Sequence, residues 1–451
     1  MASPPALGSR RPRGRGSMGS VIASVRGLVV RGQARVGSSW WQLLQRSLLL
    51  FGSGALARLL GFGFSIVAAR ALGPAGFGIV ALTLTLANLA SVTLYNSPAG
   101  LSRALVKSSN PHDQEVAVSN YTVVVGALLL ASILAAIPLG WLAGLRGWVL
   151  AGLIANLLGI AALSFYREIQ RGGERFKAVA AYNVTCNLVQ LVAVAVFWMF
   201  GLAQPALYII AFGLSSVAAM AIVHLFGTFW VRPSLVHVDR EGVVPVLRFV
   251  APMVMQTAFF MIWFNADVVA LRVFSNLTTV GTYGATKSLS NAAVMIPSAI
   301  ATALLPHAAR VAATEVRTYF RNLLVPVCAA SLVPLAALAV MGPWILSHVF
   351  GPGYESAAPA LVILSAVMTM YGISLTMEAS WIAMDRPNLV LVATAASAAV
   401  TVVILVPLVL YLGMAGAAAA LVSGVAVKLA ILALASLGKG ASRQQPQEAA
   451  A

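Results

Sequence analysis

The sequence predicts an all-α, polytopic membrane protein of about twelve transmembrane helices in two six-helix lobes, and three observations carry that prediction. The chain is 60% hydrophobic and 9% charged, with a mean hydropathy of +0.90. An ordinary soluble domain is far more polar. Twelve apolar stretches follow one another, each near the ~20 residues that a bilayer core requires. Basic residues fall almost entirely in every second gap between these stretches, and a bias of Lys and Arg in short loops fixes which side each loop faces.

The spans read as 47–69, 76–98, 121–143, 147–165, 178–201, 205–229, 248–271, 279–304, 322–349, 356–379, 388–412 and 414–436. With the N-terminus inside, the cytoplasmic gaps hold Arg103 and Lys107, then Arg167, Arg171, Arg175 and Lys177, then Arg232 and Arg240, then Arg310, Arg317 and Arg321, and then Arg386. Lys439 and Arg443 follow the last span. The external gaps hold only Arg70, Arg146 and Arg272, each at a span end. Both termini are therefore expected in the cytoplasm. Only the turn from Gly413 to Gly416 separates the last two spans.

Residues 1–46 differ in kind: they carry eight arginines and no acidic residue among many Gly, Ser and Pro. They read as a basic flexible tail whose Val21–Val30 stretch lies on anionic lipid as a short amphipathic helix. The N-lobe then covers 47–230, a cytoplasmic linker 231–247, the C-lobe 248–437 and a flexible C-terminal tail 438–451.

Several function classes are excluded. The net charge of +17 resides mostly in the tail and the basic gaps, where topology already calls for it, so nucleic acid is not expected as a partner. Cys186 and Cys328 both fall inside spans and offer no metal-ligand spacing. No Walker-type G-x-x-x-x-G-K-[ST] is present. The five histidines (His112, His224, His237, His307 and His348) are scattered, and no loop is long enough for an extramembrane catalytic domain. No enzyme activity, no metal and no cofactor are expected.

An internal repeat sharpens the class. Gly78, in Gly73-Pro74-Ala75-Gly76-Phe77-Gly78 after the first span, and Gly281, in Thr279-Val280-Gly281-Thr282-Tyr283-Gly284 after the seventh, occupy matching places 203 residues apart. Six spans per half with equivalent turns on the same side describe two parallel repeats about an axis normal to the membrane, a design that transporters use as two rocking lobes.

The stretch from Ala57 to Leu105, through Ala-Arg-Ala-Leu-Gly-Pro-Ala-Gly-Phe-Gly, resembles the start of polysaccharide-type flippases. These are the O-antigen and exopolysaccharide repeat-unit exporters of the multidrug/oligosaccharidyl-lipid/polysaccharide (MOP) superfamily. Asn265 to Leu271, Val349 to Tyr354 with Ala357 to Pro359, and Leu412 to Ala418 are similar to the family's seventh helix, its entry to helix ten and its last turn. The resemblance spans 47–436 and leaves out the basic tail. It implies a flippase of the plasma (inner) membrane that moves a polyprenyl-phosphate- or pyrophosphate-linked oligosaccharide to the outer leaflet by alternating access. It also implies membrane lipids and the glycan polymerase or export machinery as partners, and coupling to an H+ or Na+ gradient.

A phosphate-linked glycan in a water-filled lumen needs cations and polar groups, and each ionisable residue inside a span costs at least ~2.5–3.5 kcal/mol at the bilayer centre. Arg58, about eleven residues into the first span, is read as the holder of the carrier phosphate. Its structural alternative is an anchor to backbone carbonyls. Asp267 and Lys287 lie at similar depths below one external turn. They read equally as a structural ion pair or as a phosphate-binding lysine released when sodium or a proton engages Asp267. Glu378 is a second ion-coupling candidate, and Arg103 a candidate for phosphate capture on entry that positive-inside placement also explains. No role is assigned to Lys428. Asn88, Gln256, Asn265 and Tyr283 are candidate polar lumen residues, as are Tyr95, Asn96, Asn187, Gln190, Asn291 and Tyr371, against the alternative that they join helices. Two other functions stay open: a cation-coupled multidrug exporter of the same superfamily, and a non-transporting scaffold of a glycan-export complex.

Overall fold

A computed structural model describes residues 38–95, 97–108, 110–226, 238–298, 300–301, 315–384 and 386–437, and every regular element among them is helical. The chain divides into two compact units, 1–49 and 50–451. In the first, residues 38–49 are helical, so the end of the expected flexible tail is helix. The rest of that tail, the start of the expected linker and the C-terminal tail lie outside the described residues. The second unit holds both expected lobes.

Nine helices among the described residues are long and apolar enough to cross a membrane. Two of them are hairpins. Helix α1 (Ser38–Ala90) breaks at Gly73, whose φ of 64° and ψ of 176° only glycine adopts readily, with Pro74 following. Short helices α2 (Val92–Tyr95) and α3 (Ala99–Lys107) follow, then α4 (Pro111–Leu142), α5 (Trp148–Gly172), α6 (Phe176–Met199) and α7 (Pro205–Phe226). The second half opens with α8 (Arg240–Phe274), which takes the end of the expected linker, from residue 240 on, into a helix, and continues with α9 (Leu277–Ser290). Helices α10 (Val316–Trp344), α11 (Ala358–Ala383) and α12 (Pro387–Leu437) complete it. Helix α12 breaks at Gly413 (φ 55°, ψ −127°). Its two limbs run antiparallel, since Thr401 Oγ1 donates to the Ala420 carbonyl at 3.3 Å.

Local chemistry explains the helix ends that hydropathy misplaces. Helix α4 starts ten residues before the expected span because Asn110 caps it, accepting from the His112 amide at 3.1 Å, with Pro111 at the first position and Asp113 in the first turn. Helix α5 outlasts its expected end at 165, stopping only at Gly172. Helix α9 passes into a 3-10 turn over Asn291–Val294 and resumes as helix at 295–298. Pro297, which lacks an amide donor, sits just beyond that turn and packs against Gly372 of α11. This broken helix takes the place of the eighth expected span.

Every described glycine with positive φ lies at one end of the helices: Gly73, Gly144, Gly147, Gly201, Gly351, Gly353 and Gly413. We call this the glycine-turn end and the opposite one, rich in Arg and Lys, the basic end. At the glycine-turn end the two halves meet tightly. Gly78 and Gly281 face each other so closely that a β-carbon on Gly281 would come within 2.8 Å of the Gly78 nitrogen and collide with the Pro74 carbonyl. A β-carbon on Gly78 would collide with the Leu277 carbonyl. The two positions that the repeat makes equivalent touch, as they must if the axis relating the halves runs between them. Around them Arg70 Nε donates to the Val349 carbonyl at 2.7 Å, its Nη2 donates to the His348 carbonyl, and the Tyr354 hydroxyl donates to the Ala69 carbonyl at 3.0 Å.

Candidate functional site

The first half encloses a cavity of about 430 Å³, within the size range of small-ligand pockets. Its wall comes from both limbs of α1, from Tyr95 at the end of α2, and from α5, α6 and α7. The α1 hairpin brings Arg58 level with Ala87 and Asn88. A stripe of Asn156, Ile160, Leu163 and Arg167 on α5 faces a stripe of Asn183, Asn187 and Gln190 on α6, each stripe at the helical spacing of three and four residues. Helices α5 and α7 approach closely enough for this because Gly159 lies against the Gly213 backbone, where no side chain fits.

Among the described residues, two guanidiniums and no carboxylate line this cavity. Arg58 also reaches across to the second half, where its Nη1 donates to Ser298 Oγ at 3.2 Å and its charge acts on Tyr371. The Nε of Arg167 is buried and has no hydrogen-bond partner among the described residues. The amides are oriented alike. Asn156 Nδ2 donates to the Gly152 and Ile209 carbonyls at 2.7 and 3.1 Å, Asn187 Nδ2 to the Asn183 carbonyl at 2.9 Å, and Gln190 Nε2 to the Phe212 carbonyl at 3.4 Å. Both amide hydrogens of Asn156 and one each of Asn187 and Gln190 are thus taken by the backbone, which leaves their carbonyl oxygens as acceptors for a ligand and one N–H each on Asn187 and Gln190 as a donor. Asn88 differs: its Oδ1 accepts from the Tyr95 hydroxyl at 3.0 Å. The cavity thus combines cationic donors for an anion with acceptors for hydroxyl groups.

The second half treats its charges differently. Lys287 Nζ lies 2.8 and 2.9 Å from the two Asp267 oxygens, donates also to the Phe264 carbonyl and stands 4.4 Å from the Phe264 ring centre. Asp267 takes further bonds from the Tyr283 hydroxyl at 2.7 Å and the Val268 amide at 2.8 Å. Glu378 pairs with Lys428 at 2.8 Å and accepts from Ser374 Oγ at 3.1 Å. All four charged groups are buried. Between the two pairs stands an aromatic cluster in which Trp263 lies 5.3 Å from Tyr371 and 6.0 Å from Phe264.

Of the residues singled out in the sequence, Arg58 and Asn88 line the cavity with Tyr95, Asn187 and Gln190. Asp267, Lys287 and Tyr283 come together, away from it, as one buried triad. Glu378 gains Lys428, to which the sequence gave no role. Asn265 is buried and bonded to the Met261 carbonyl of its own helix at 3.0 Å. Gln256 is half-buried on α8, and Arg103 is exposed on α3 at the basic end. Arg167 was missed, because the sequence places it in a cytoplasmic gap. The signal that finds it is the Gly172-Gly173 stop seven residues beyond the expected span end, with the 156, 160, 163, 167 spacing.

Comparison with known proteins agrees with this architecture. A family model described as polysaccharide biosynthesis protein matches residues 43–312, more than half of the chain. Among solved structures, the lipid II flippase MurJ in an inward closed conformation superposes with a TM-score of 0.67 at 13% identity, over 87% of this chain and 88% of that one. An inward-facing multidrug resistance MATE family transporter of the MOP superfamily gives 0.61 at 15% identity, over 86% and 93%. The Vibrio cholerae MATE transporter VcmN in the bent form gives 0.53 at 16%, over 89% and 98%. At such identities the likeness is one of fold. None of the curated proteins matches the chain in sequence.

Proposed function

This chain belongs to the polysaccharide biosynthesis protein family, and we propose that it is a flippase that carries a polyprenyl-phosphate- or pyrophosphate-linked oligosaccharide from the cytoplasmic to the outer leaflet of the plasma membrane by alternating access. The observation that carries this reading is the cavity lined by Arg58, Arg167 and amide oxygens with no carboxylate among its described residues. A phosphate engages guanidinium groups by charge-assisted hydrogen bonds, and sugar hydroxyls donate to amide carbonyls. The positive-inside rule puts the basic end in the cytoplasm, so the closed glycine-turn end faces outward and the substrate enters from the inside. An isolated guanidinium deep in a span is costly, and an anionic headgroup offsets that cost once per cycle.

The same lining disfavours the multidrug reading, since a cationic drug would meet two arginines and no carboxylate among the described lining residues. Gradient coupling belongs in the second half, where sodium or a proton at Asp267 or Glu378 releases the paired lysine. Glycan polymerase or export machinery is the partner that receives the product.

The test is translocation of a fluorescent polyprenyl-pyrophosphate oligosaccharide in proteoliposomes. Arg58→Ala and Arg167→Ala are each expected to lower the initial rate about tenfold or more, the worth of one hydrogen bond to a charged group, with both proteins folded. Wild type that moves no glycan lipid but exports organic cations against a gradient would replace this reading with the multidrug one. Full rates in both variants would leave the arginines no part in it.

A further inference from the structure

Gln190 is 5% exposed, lines the cavity, and has a side-chain oxygen with no hydrogen-bond partner among the described residues. Its amide nitrogen donates to the Phe212 carbonyl at 3.4 Å, a carbonyl that would repel the side-chain oxygen in the opposite orientation. A buried acceptor left unmade is costly, and native structures tolerate it mainly where something else completes it. Arg167 Nε is the complementary case in the same cavity: a buried donor without an acceptor. One orphan of each kind in one cavity describes a ligand that brings an acceptor anion at one point and a donor hydroxyl at another.

The two orphans are ordered along the membrane normal. Arg167 lies five residues before the end of α5 at Gly172, and Gln190 fourteen residues after the start of α6 at Phe176, across the turn that joins these helices. At 1.5 Å per residue they stand about 8 Å and about 21 Å from the basic end. The phosphate-binding cation is thus nearer the expected entry side and the hydroxyl acceptor deeper. A glycan headgroup that leads into the cavity with its carrier phosphate trailing would be arranged in this way.

We propose that Gln190 is a specificity-determining residue: its side-chain oxygen accepts a hydrogen bond from a hydroxyl of the sugar nearest the phosphate while Arg167 holds the phosphate. This rests on the flippase reading and adds to it that the protein reads the first sugar and not the lipid phosphate alone. Sites built to bond a hydroxyl reject analogues that lack it far more strongly than apolar pockets reject a missing methylene, because the buried polar group is then left unpaired.

The experiment measures binding to the full-length protein in nanodiscs of geranyl diphosphate and of geranyl diphosphates bearing glucose, galactose or N-acetylglucosamine. Wild type is expected to bind at least one sugar-bearing probe about tenfold more tightly than bare geranyl diphosphate. Gln190→Met, which keeps the shape and removes the acceptor, is expected to abolish that preference and leave the affinity for the bare diphosphate unchanged. Arg167→Gln is expected to weaken all probes by a similar factor. Should Gln190→Met fail to fold, deoxy analogues of the preferred probe on wild type carry the test, one of which must lose the gain. Equal binding of bare and sugar-bearing probes by wild type, or a preference that survives in Gln190→Met, overturns the role of Gln190 and leaves the phosphate site standing. If wild type binds no probe at all, the flippase reading falls and this inference with it.

Discussion

Replacing Gly281 with alanine is expected to hold the glycine-turn end apart and slow transport by about tenfold to a hundredfold, although alanine improves the helix it enters. Gly281 lies inside α9, where Gly→Ala stabilises an isolated helix by roughly 0.5–1 kcal/mol. The added β-carbon, however, meets the backbone at Pro74 and at Gly78, and backbone cannot rotate out of the way as a side chain can. Gly78→Ala inserts its β-carbon into the same contact from the other half. The double variant is therefore expected to be little worse than either single one, since both remove the same contact. Ala69 reports the outcome: it is fully buried beneath Tyr354 in the closed arrangement. In a chain with Cys186 and Cys328 replaced by serine, Ala69→Cys should be shielded from a membrane-impermeant maleimide and become several-fold more reactive when either alanine is added. Wild-type labelling and transport in both glycine variants would show that the contact is not a gate.

The second large effect concerns the buried pair. Lys287→Met is expected to destabilise the protein by roughly 3–5 kcal/mol, because it strands the Asp267 carboxylate away from water with only the Tyr283 hydroxyl and the Val268 amide to bond it. The paired change Asp267→Asn with Lys287→Met is expected to recover most of that loss, since replacing both members of a buried ion pair is often neutral. Thermal melting in detergent measures both. The same two proteins bear on coupling. If the paired variant transports with the gradient dependence of wild type, Asp267 and Lys287 serve the fold, and Glu378 with Lys428 is left as the coupling pair. A Lys287→Met protein as stable as wild type would mean that the pair contributes nothing to stability.

Much of this was legible before any coordinates. Depth counting below a shared turn put Asp267 and Lys287 at the same level, and the structure pairs them. The repeat put Gly78 and Gly281 in equivalent places, and they meet. Arg167 was lost for a physical reason: hydropathy windows stop where charge begins, whereas the helix continues to its Gly172-Gly173 stop. Charge in the last two turns of a long helix can therefore point into the protein while scoring as loop. The start of α4 was misplaced in the same way, since capping by Asn110 and Pro111 extends a helix through residues that are polar.

The sequence by itself indicated an all-helical, multi-pass membrane protein, and how many residues separate each ionisable group from the nearest turn. Both follow from composition and spacing along one dimension. Only the tertiary structure decided which cations are left to meet a ligand. Lys287 and Lys428 are turned toward carboxylates on neighbouring helices, while Arg58 and Arg167 are turned into a shared cavity. Depth along a helix is read by counting residues, but the partner a side chain faces depends on the rotation and packing of its neighbours. In a bilayer that packing is set by close contacts between small residues, such as Gly159 against Gly213, and hydropathy carries no record of them.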